Sequence, residues 1–170
     1  MRQRNDLKQP TLWKSDKMRV ANLKAAYESG ERDFSGVNLL KADLHKVRLA
    51  DINLSQAYLC RATLSHANLE RAFLNKAILY AADLHGARLF RASAIEANLE
   101  KANLVKANLA HANLNGACLK NANLNRARLV WANLREANLC NANLDRAELE
   151  GAKFCHTVMP DGSIRNDDCY

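Results

Sequence analysis

A chain of 170 residues with 48% hydrophobic content is long enough for one packed domain, and Ala and Leu carry most of that content. Its 6 Gly and 2 Pro exclude a collagen-like or linker-like chain, and no apolar run approaches the roughly 18 residues of a membrane span. With 25 Lys and Arg against 18 Asp and Glu the net charge is +7, which suits an anionic partner better than a cationic one.

In chain order, residues 1–14 are polar, hold a Pro and a Trp, and read as irregular. No apolar stretch follows the basic start, so a signal peptide is not expected and a cytoplasmic location is. Residues 16–28 read as a short helix. Ser15 or Asp16 can cap it, and Gly30 can supply the left-handed position at its end. Val20, Leu23 and Tyr27 share one face of that helix.

From residue 32 to 156 a single pattern takes over. Steps of five from Phe34 reach Leu39, Leu44, Leu49 and onward to Phe154, and 24 of these 25 positions are Leu or Phe. Ala94 is the exception. Two residues before each lies Ala, at 21 of the 25 positions. The unit is Ala-Asn/Asp-Leu-x-x, as in Ala97-Asn98-Leu99-Glu100-Lys101. A helix would smear this Leu around every face, and a plain strand would alternate. The Leu is buried only if every fifth residue points inward from the middle of a flat side. The missing Leu at Ala94 predicts a void or a collapse costing about 2–4 kcal/mol, with Ile95 bulging to compensate.

After the repeats, Thr157-Val158-Met159-Pro160-Asp161-Gly162-Ser163-Ile164 reads as an extended piece, a turn and a second extended piece. Residues 165–170 read as frayed. The five Cys, 60, 118, 140, 155 and 169, form no CxxC pair and are expected to be free thiols in a reducing compartment. Cys155 and Cys169 flank the last turn and are the pair to watch.

The repeated unit resembles the pentapeptide-repeat family over about three quarters of the chain. The segments Tyr27-Glu28-Ser29-Gly30-Glu31-Arg32-Asp33-Phe34 and Met159-Pro160-Asp161-Gly162-Ser163-Ile164 look like the ends of cyanobacterial members. The resemblance implies an all-β fold, a right-handed quadrilateral parallel β-helix of about six coils and about 20 residues per coil, with a short N-terminal capping helix. On that plan residues 1–31 are the irregular start and capping helix, 32–156 the solenoid, and 157–170 the terminal turn, cap and tail. Asn ladders such as Asn103, Asn123 and Asn143 would then hold successive coils together.

The same plan sorts the outward residues into columns. Arg48, Arg88 and Arg128 share one side, with Arg71, Arg91 and Trp131 beside them. Lys106, Arg126 and Arg146 occupy the neighbouring corner, and together these form a basic stripe. Tyr58, Ile78 and Tyr80 project from one side, Phe73 lies at a similar height on the preceding side, and Phe90 and Ile95 continue the apolar belt around the middle coils. His45 and His85 are two coils apart, while His66 and His111 fall on different sides, so no shared metal is expected. No nucleophile–base pair, carboxylate pair or phosphate loop is present, so neither an enzyme nor a cofactor is expected. The expected function is a non-enzymatic scaffold, with another protein as the expected partner of a monomeric chain. The alternative is binding of nucleic acid or another anionic surface through the stripe, or a gyrase-related role. Some family members mimic the DNA duplex and protect gyrase, but those mimics are acidic, and a charge of +7 disfavours that role.

Overall fold

The structure, a computed structural model, describes residues 18–169. The irregular start and the two proposed helix caps, Ser15 and Asp16, lie outside the described residues. From Asp33 onward, every fifth residue forms a parallel bridge with the residue 20 positions later: Asp33 with Asn53, Asn38 with Tyr58, Asp43 with Thr63, Arg48 with Asn68. One turn of the chain therefore takes 20 residues and carries four bridges, and the series ends with Asn138 and Val158.

In the middle of the rod, a unit with Asn or Asp before its centre satisfies all of its own backbone donors. In residues 98–102, Asn98 N–H donates to Ala77 O at 2.9 Å, one turn below. Leu99 N–H donates to Cys118 O at 2.7 Å and Lys101 N–H to Lys120 O at 2.9 Å, both one turn above. Ala102 N–H turns back to Leu99 O at 3.0 Å. The remaining donor, Glu100 N–H, goes to the side chain of Asn98, whose Oδ1 accepts at 3.0 Å. That fifth bond is what the Asn/Asp column supplies. The oxygens of Asn103, Asn123 and Asn143 likewise accept from the backbone of Val105, Asn125 and Asp145. The column thus acts mainly within its own coil. Cross-coil side-chain bonds do occur, as from Asn133 Nδ2 to Asn113 Oδ1 at 3.0 Å.

Each of the 25 centres, Ala94 and the two Phe included, is followed two residues on by a left-handed residue, and 21 of these are not glycine. Lys101 and Trp131 both sit at φ 59°. Such a conformation costs about 1–2 kcal/mol for an L-residue. The coil-to-coil bond from the same residue's N–H offsets it. This turn also stops every strand after its centre, so each side contributes a single bridge and no long strand forms.

The interior is the Leu column with Ala beside it. Val37, Val47 and Ile52 take the Ala place in the first turns and are buried. Phe34 and Phe154 stand at the two ends of the column, both buried. Helix α1 spans Val20–Glu28, four residues later than the sequence pattern suggests. Met18 N–H donates to Asn38 O at 2.8 Å and Arg19 is extended, so Met18 and Arg19 lie against the first turn ahead of the helix. Arg19 occupies the cap position without a side-chain bond. Leu23 and Ala26 are buried, and Tyr27 reaches Ala50 O through its hydroxyl at 2.8 Å. Gly30, at φ 102°, has the predicted left-handed backbone.

At the other end, β1 (Thr157–Val158) and β2 (Ile164–Arg165) pair antiparallel, as the turn between them predicts. Two expectations are corrected here. Cys155 and Cys169 are joined by a disulfide, while Cys60, Cys118 and Cys140 are free. The tail is not frayed through residue 169. Asp168 N–H donates to Phe154 O at 2.8 Å, and Phe154 N–H donates to Asp168 Oδ2 at 2.9 Å. Arg135 Nη2 donates to Asp168 O at 2.6 Å, and the Arg165 guanidinium lies 3.8 Å from the centre of the Phe154 ring.

Ala94 leaves a small enclosed void lined by Leu74, Leu89, Leu99, Leu104 and Leu114. Ile95 does not bulge inward. The bridge from Ser93 to Asn113 keeps register, and Ala94 N–H still reaches Asn113 O at 2.8 Å. The hydrogen-bonded coil resists collapse, so the missing side chain stays missing.

Candidate interaction surface

Because the inward residues pack only on one another, chemistry is confined to the outward columns. On the side whose bridges run Asn38, Tyr58, Ile78, Asn98, residues one before and one after each Leu both point outward, as alternation along a strand demands. The column after the centres holds Leu40, Cys60 and Tyr80. With Tyr58 and Ile78 these make a continuous apolar patch over three turns. Leu40 is 41% exposed and Tyr58 50%, while Cys60, Ile78 and Tyr80 are half-buried. Phe73, on the preceding side, is 50% exposed. Lys101 Nζ reaches the Tyr80 hydroxyl at 3.0 Å.

Tyr58 and Ile78 stand where most units have Asn or Asp. Neither carries the carbonyl that would accept the N–H two residues on, so Cys60 and Tyr80 lose that side-chain bond. Phe73 forgoes the same bond. The sequence singles out Tyr58, Ile78 and Tyr80; Leu40 and Cys60 share the register position of Tyr80 and join the patch once that column is read whole. Phe90 lies on a different side, half-buried, with its ring 5.5 Å from that of His111 and the Arg91 guanidinium 5.2 Å from its centre. The belt is therefore not continuous around the rod.

Four of the eight cations of the basic stripe are neutralised by carboxylates. Arg71 donates to both oxygens of Asp51, from Nε at 2.6 Å and Nη2 at 2.7 Å. Arg88 Nη2 lies 2.6 Å from Glu70, Arg128 Nε 3.5 Å from Glu148, and Arg146 Nε 3.8 Å from Asp145. Among the described residues Arg48, Arg91, Lys106 and Arg126 make no ion pair. All four are exposed. Lys24, Lys46 and Arg48 also line a shallow groove between α1 and the first turns.

The Arg71 hydrogen bond, and less its charge, holds the Asp51 carboxyl below the usual carboxylate range. A depressed carboxyl favours the fold above its unfolded value and loses that contribution as pH falls through the folded one. In Arg71→Gln the Asp51 midpoint should rise toward an ordinary Asp. Carbon-detected NMR titration of the carboxyl checks this, and an unmoved midpoint would show that the pair does not persist in solution.

Trp131, 55% exposed, lies against Gly151 one turn on, where an added Cβ would come 2.5 Å from Cε3 of the indole. Its position is thus set by a residue that must have no side chain. His66 relates to Gly86 in the same way, at 2.7 Å. The His66 ring stands edge-on to His45 at 5.9 Å and to His85 at 5.3 Å. This ladder of three imidazoles escapes a column count, because His66 occupies the corner beside the column of the other two. His45 Nδ1 is 2.8 Å from Ser65 Oγ. No helix among the described residues is long and apolar enough to cross a membrane.

Residues 57–93, 87–126 and 122–159 match the pentapeptide-repeat family, in 8 copies. No curated protein sequence matches the chain. Among solved structures, the chain is similar to Rfr23, a pentapeptide repeat protein from the cyanobacterium Cyanothece 51142, at 31% identity over 72% of this chain and 90% of that one, with a TM-score of 0.57. It is similar to alr5209, a pentapeptide repeat protein from Nostoc PCC 7120, at 29% identity over 86% of this chain and 78% of that one, with a TM-score of 0.35. HetL, a pentapeptide repeat protein involved in heterocyst differentiation regulation from the cyanobacterium Nostoc sp. strain PCC 7120, shares 27% identity over 87% of this chain and all of its own length, with a TM-score of 0.31.

Proposed function

This chain belongs to the pentapeptide-repeat family, and on that premise we propose that it is a non-enzymatic scaffold that docks another protein on the patch of Leu40, Tyr58, Cys60, Ile78 and Tyr80. Family membership carries the right-handed β-helix, and four bridges per turn suit a four-sided coil closed by α1 at one end and by the terminal hairpin at the other. A rigid rod of this kind offers surfaces rather than a pocket.

The observation that carries the proposal is the exchange of Asn for Tyr58 and Ile78. Each gives up a net hydrogen bond of about 0.5–1.5 kcal/mol in favour of an exposed or half-exposed apolar side chain. A chain under selection for folding alone has no use for that exchange, whereas a docking surface does. Tyr58→Asn and Ile78→Asn should each raise stability in urea by up to about 1 kcal/mol and weaken partner capture. A photo-crosslinking side chain at position 40 should give an adduct in extract of the parent organism, and one at position 123, on the next side, should not. Equal labelling from both positions would remove the patch from consideration.

Binding of an anionic surface is the second reading, and Arg48, Arg91, Lys106 and Arg126 favour it because no carboxylate among the described residues pairs with them. A duplex-DNA mimic is not proposed, since the same columns are cationic. Filter binding to nucleic acid should then weaken steeply with salt. Binding absent at low salt sinks this alternative without touching the first.

A further inference from the structure

We propose that the C-terminal closure binds a soft divalent metal of the Zn²⁺ type through Cys155, His156 and Cys169 once their disulfide is reduced. The three ligand-type atoms lie within 4.8 Å of one another. A tetrahedral site with Zn–S near 2.3 Å and Zn–N near 2.0–2.1 Å places its ligand atoms about 3.3–3.8 Å apart. The two sulfurs must separate and the imidazole must swing in, both small side-chain movements. The donor set, two thiolates and one imidazole, is a soft one that Zn²⁺ prefers and Mg²⁺ or Ca²⁺ does not.

The backbone that carries these ligands is held by bonds other than the disulfide. Asp168, next to Cys169, is bonded to Phe154, next to Cys155, in both directions at 2.8 and 2.9 Å. Arg135 fixes the Asp168 carbonyl at 2.6 Å. His156 N–H donates to Asn166 Oδ1 at 2.7 Å. The Cα atoms of Cys155 and Cys169 are 4.9 Å apart. Opening the S–S bond therefore leaves both sulfurs facing one another beside His156. Cys169 and His156 are exposed and Cys155 is half-buried, so a metal can enter and the fourth position stays open to water.

The chemistry balances with a dithiol as reductant. The dithiol supplies two electrons and two protons, the S–S bond breaks, both cysteines become thiols, and the dithiol closes to its own disulfide. The metal then displaces the two thiol protons, forms two metal–sulfur bonds and one metal–nitrogen bond, and does not change its oxidation state. The end of the rod would be fastened by a covalent bond under oxidising conditions and by a metal under reducing ones.

The test uses the full chain with Cys60, Cys118 and Cys140 changed to Ser, reduced and desalted without oxygen, with Co²⁺ as the probe. We expect one Co²⁺ per chain, a thiolate charge-transfer band in the near ultraviolet, the strong visible bands of tetrahedral Co²⁺, and displacement by Zn²⁺. The bands should be missing in the oxidised chain and lost in Cys155→Ser. In His156→Gln the charge-transfer band should persist while Zn²⁺ affinity falls by at least about tenfold. Alkylation of the reduced chain with iodoacetamide should also remove the bands, which covers a serine variant that does not fold. A reduced chain with native circular dichroism that binds no Co²⁺ overturns the proposal. So does equal binding by the oxidised or the alkylated chain.

Discussion

Replacing Leu114 by Ala should lower the unfolding free energy by about 3–5 kcal/mol, the upper part of the range for a buried Leu. Leu114 is fully buried and sits one turn above Ala94 in the same inward column. It already lines the void that Ala94 leaves. Removing it joins two absences into one larger cavity, and the cost of a cavity grows with its volume. The walls cannot move in to fill it, because every unit near it is fixed to the turns above and below by backbone bonds of 2.6–3.2 Å. Leu59→Ala, remote from the void, should cost less. The reverse change, Ala94→Leu, should gain about 1 kcal/mol by filling the cavity. In the double variant the longer side chain at position 94 should recover part of the Leu114 loss, giving a coupling that urea titration can read. If Leu114→Ala costs no more than Leu59→Ala, the void at Ala94 has closed in solution.

The interior of this rod is legible in the sequence because its rule is strict. A residue five steps from Leu99 faces inward, and burial follows from number alone. The outward half obeys a looser rule, and it is misread wherever a contact leaves its own column. Asn98 and its equivalents look like rungs between coils, yet their main partner is the N–H two residues ahead, a local bond that a column count does not reveal. Arg71 reads as free charge until Asp51, 20 residues earlier, is placed directly below it. His66 reads as isolated because it sits at a corner, although its ring stands against those of His45 and His85. Leu40 and Cys60 are hidden in positions that usually hold polar residues. The tail is the least legible part. Its anchor, Asp168, belongs to no repeat, and only the spacing of Cys155 and Cys169 hints that the segment is tied down.

Substituting Cys169 by Ser should cost the C-terminal end about 3 kcal/mol, the loop-closure value for a crosslink between residues 14 apart in sequence. The loss should be local. In a solenoid each coil touches only its neighbours, so opening one end need not open the middle. The segment at risk is the one sealed by the tail: Phe154 beneath the Arg165 guanidinium, and the pairing of Thr157–Val158 with Ile164–Arg165. Backbone exchange is the suitable readout. The Val158 N–H, which donates to Ala137 O at 3.0 Å, should lose protection by roughly 100-fold in the metal-free variant. The Leu79 N–H, deep in the rod at 2.7 Å from Asn98 O, should keep its protection unless the whole chain unfolds as one unit. Equal loss at both sites would mean that the C-terminal fastening supports the entire solenoid. Unchanged protection at Val158 would mean that Asp168 and Arg135 hold the closure without the sulfur bond, and a metal that takes its place would then add little to stability.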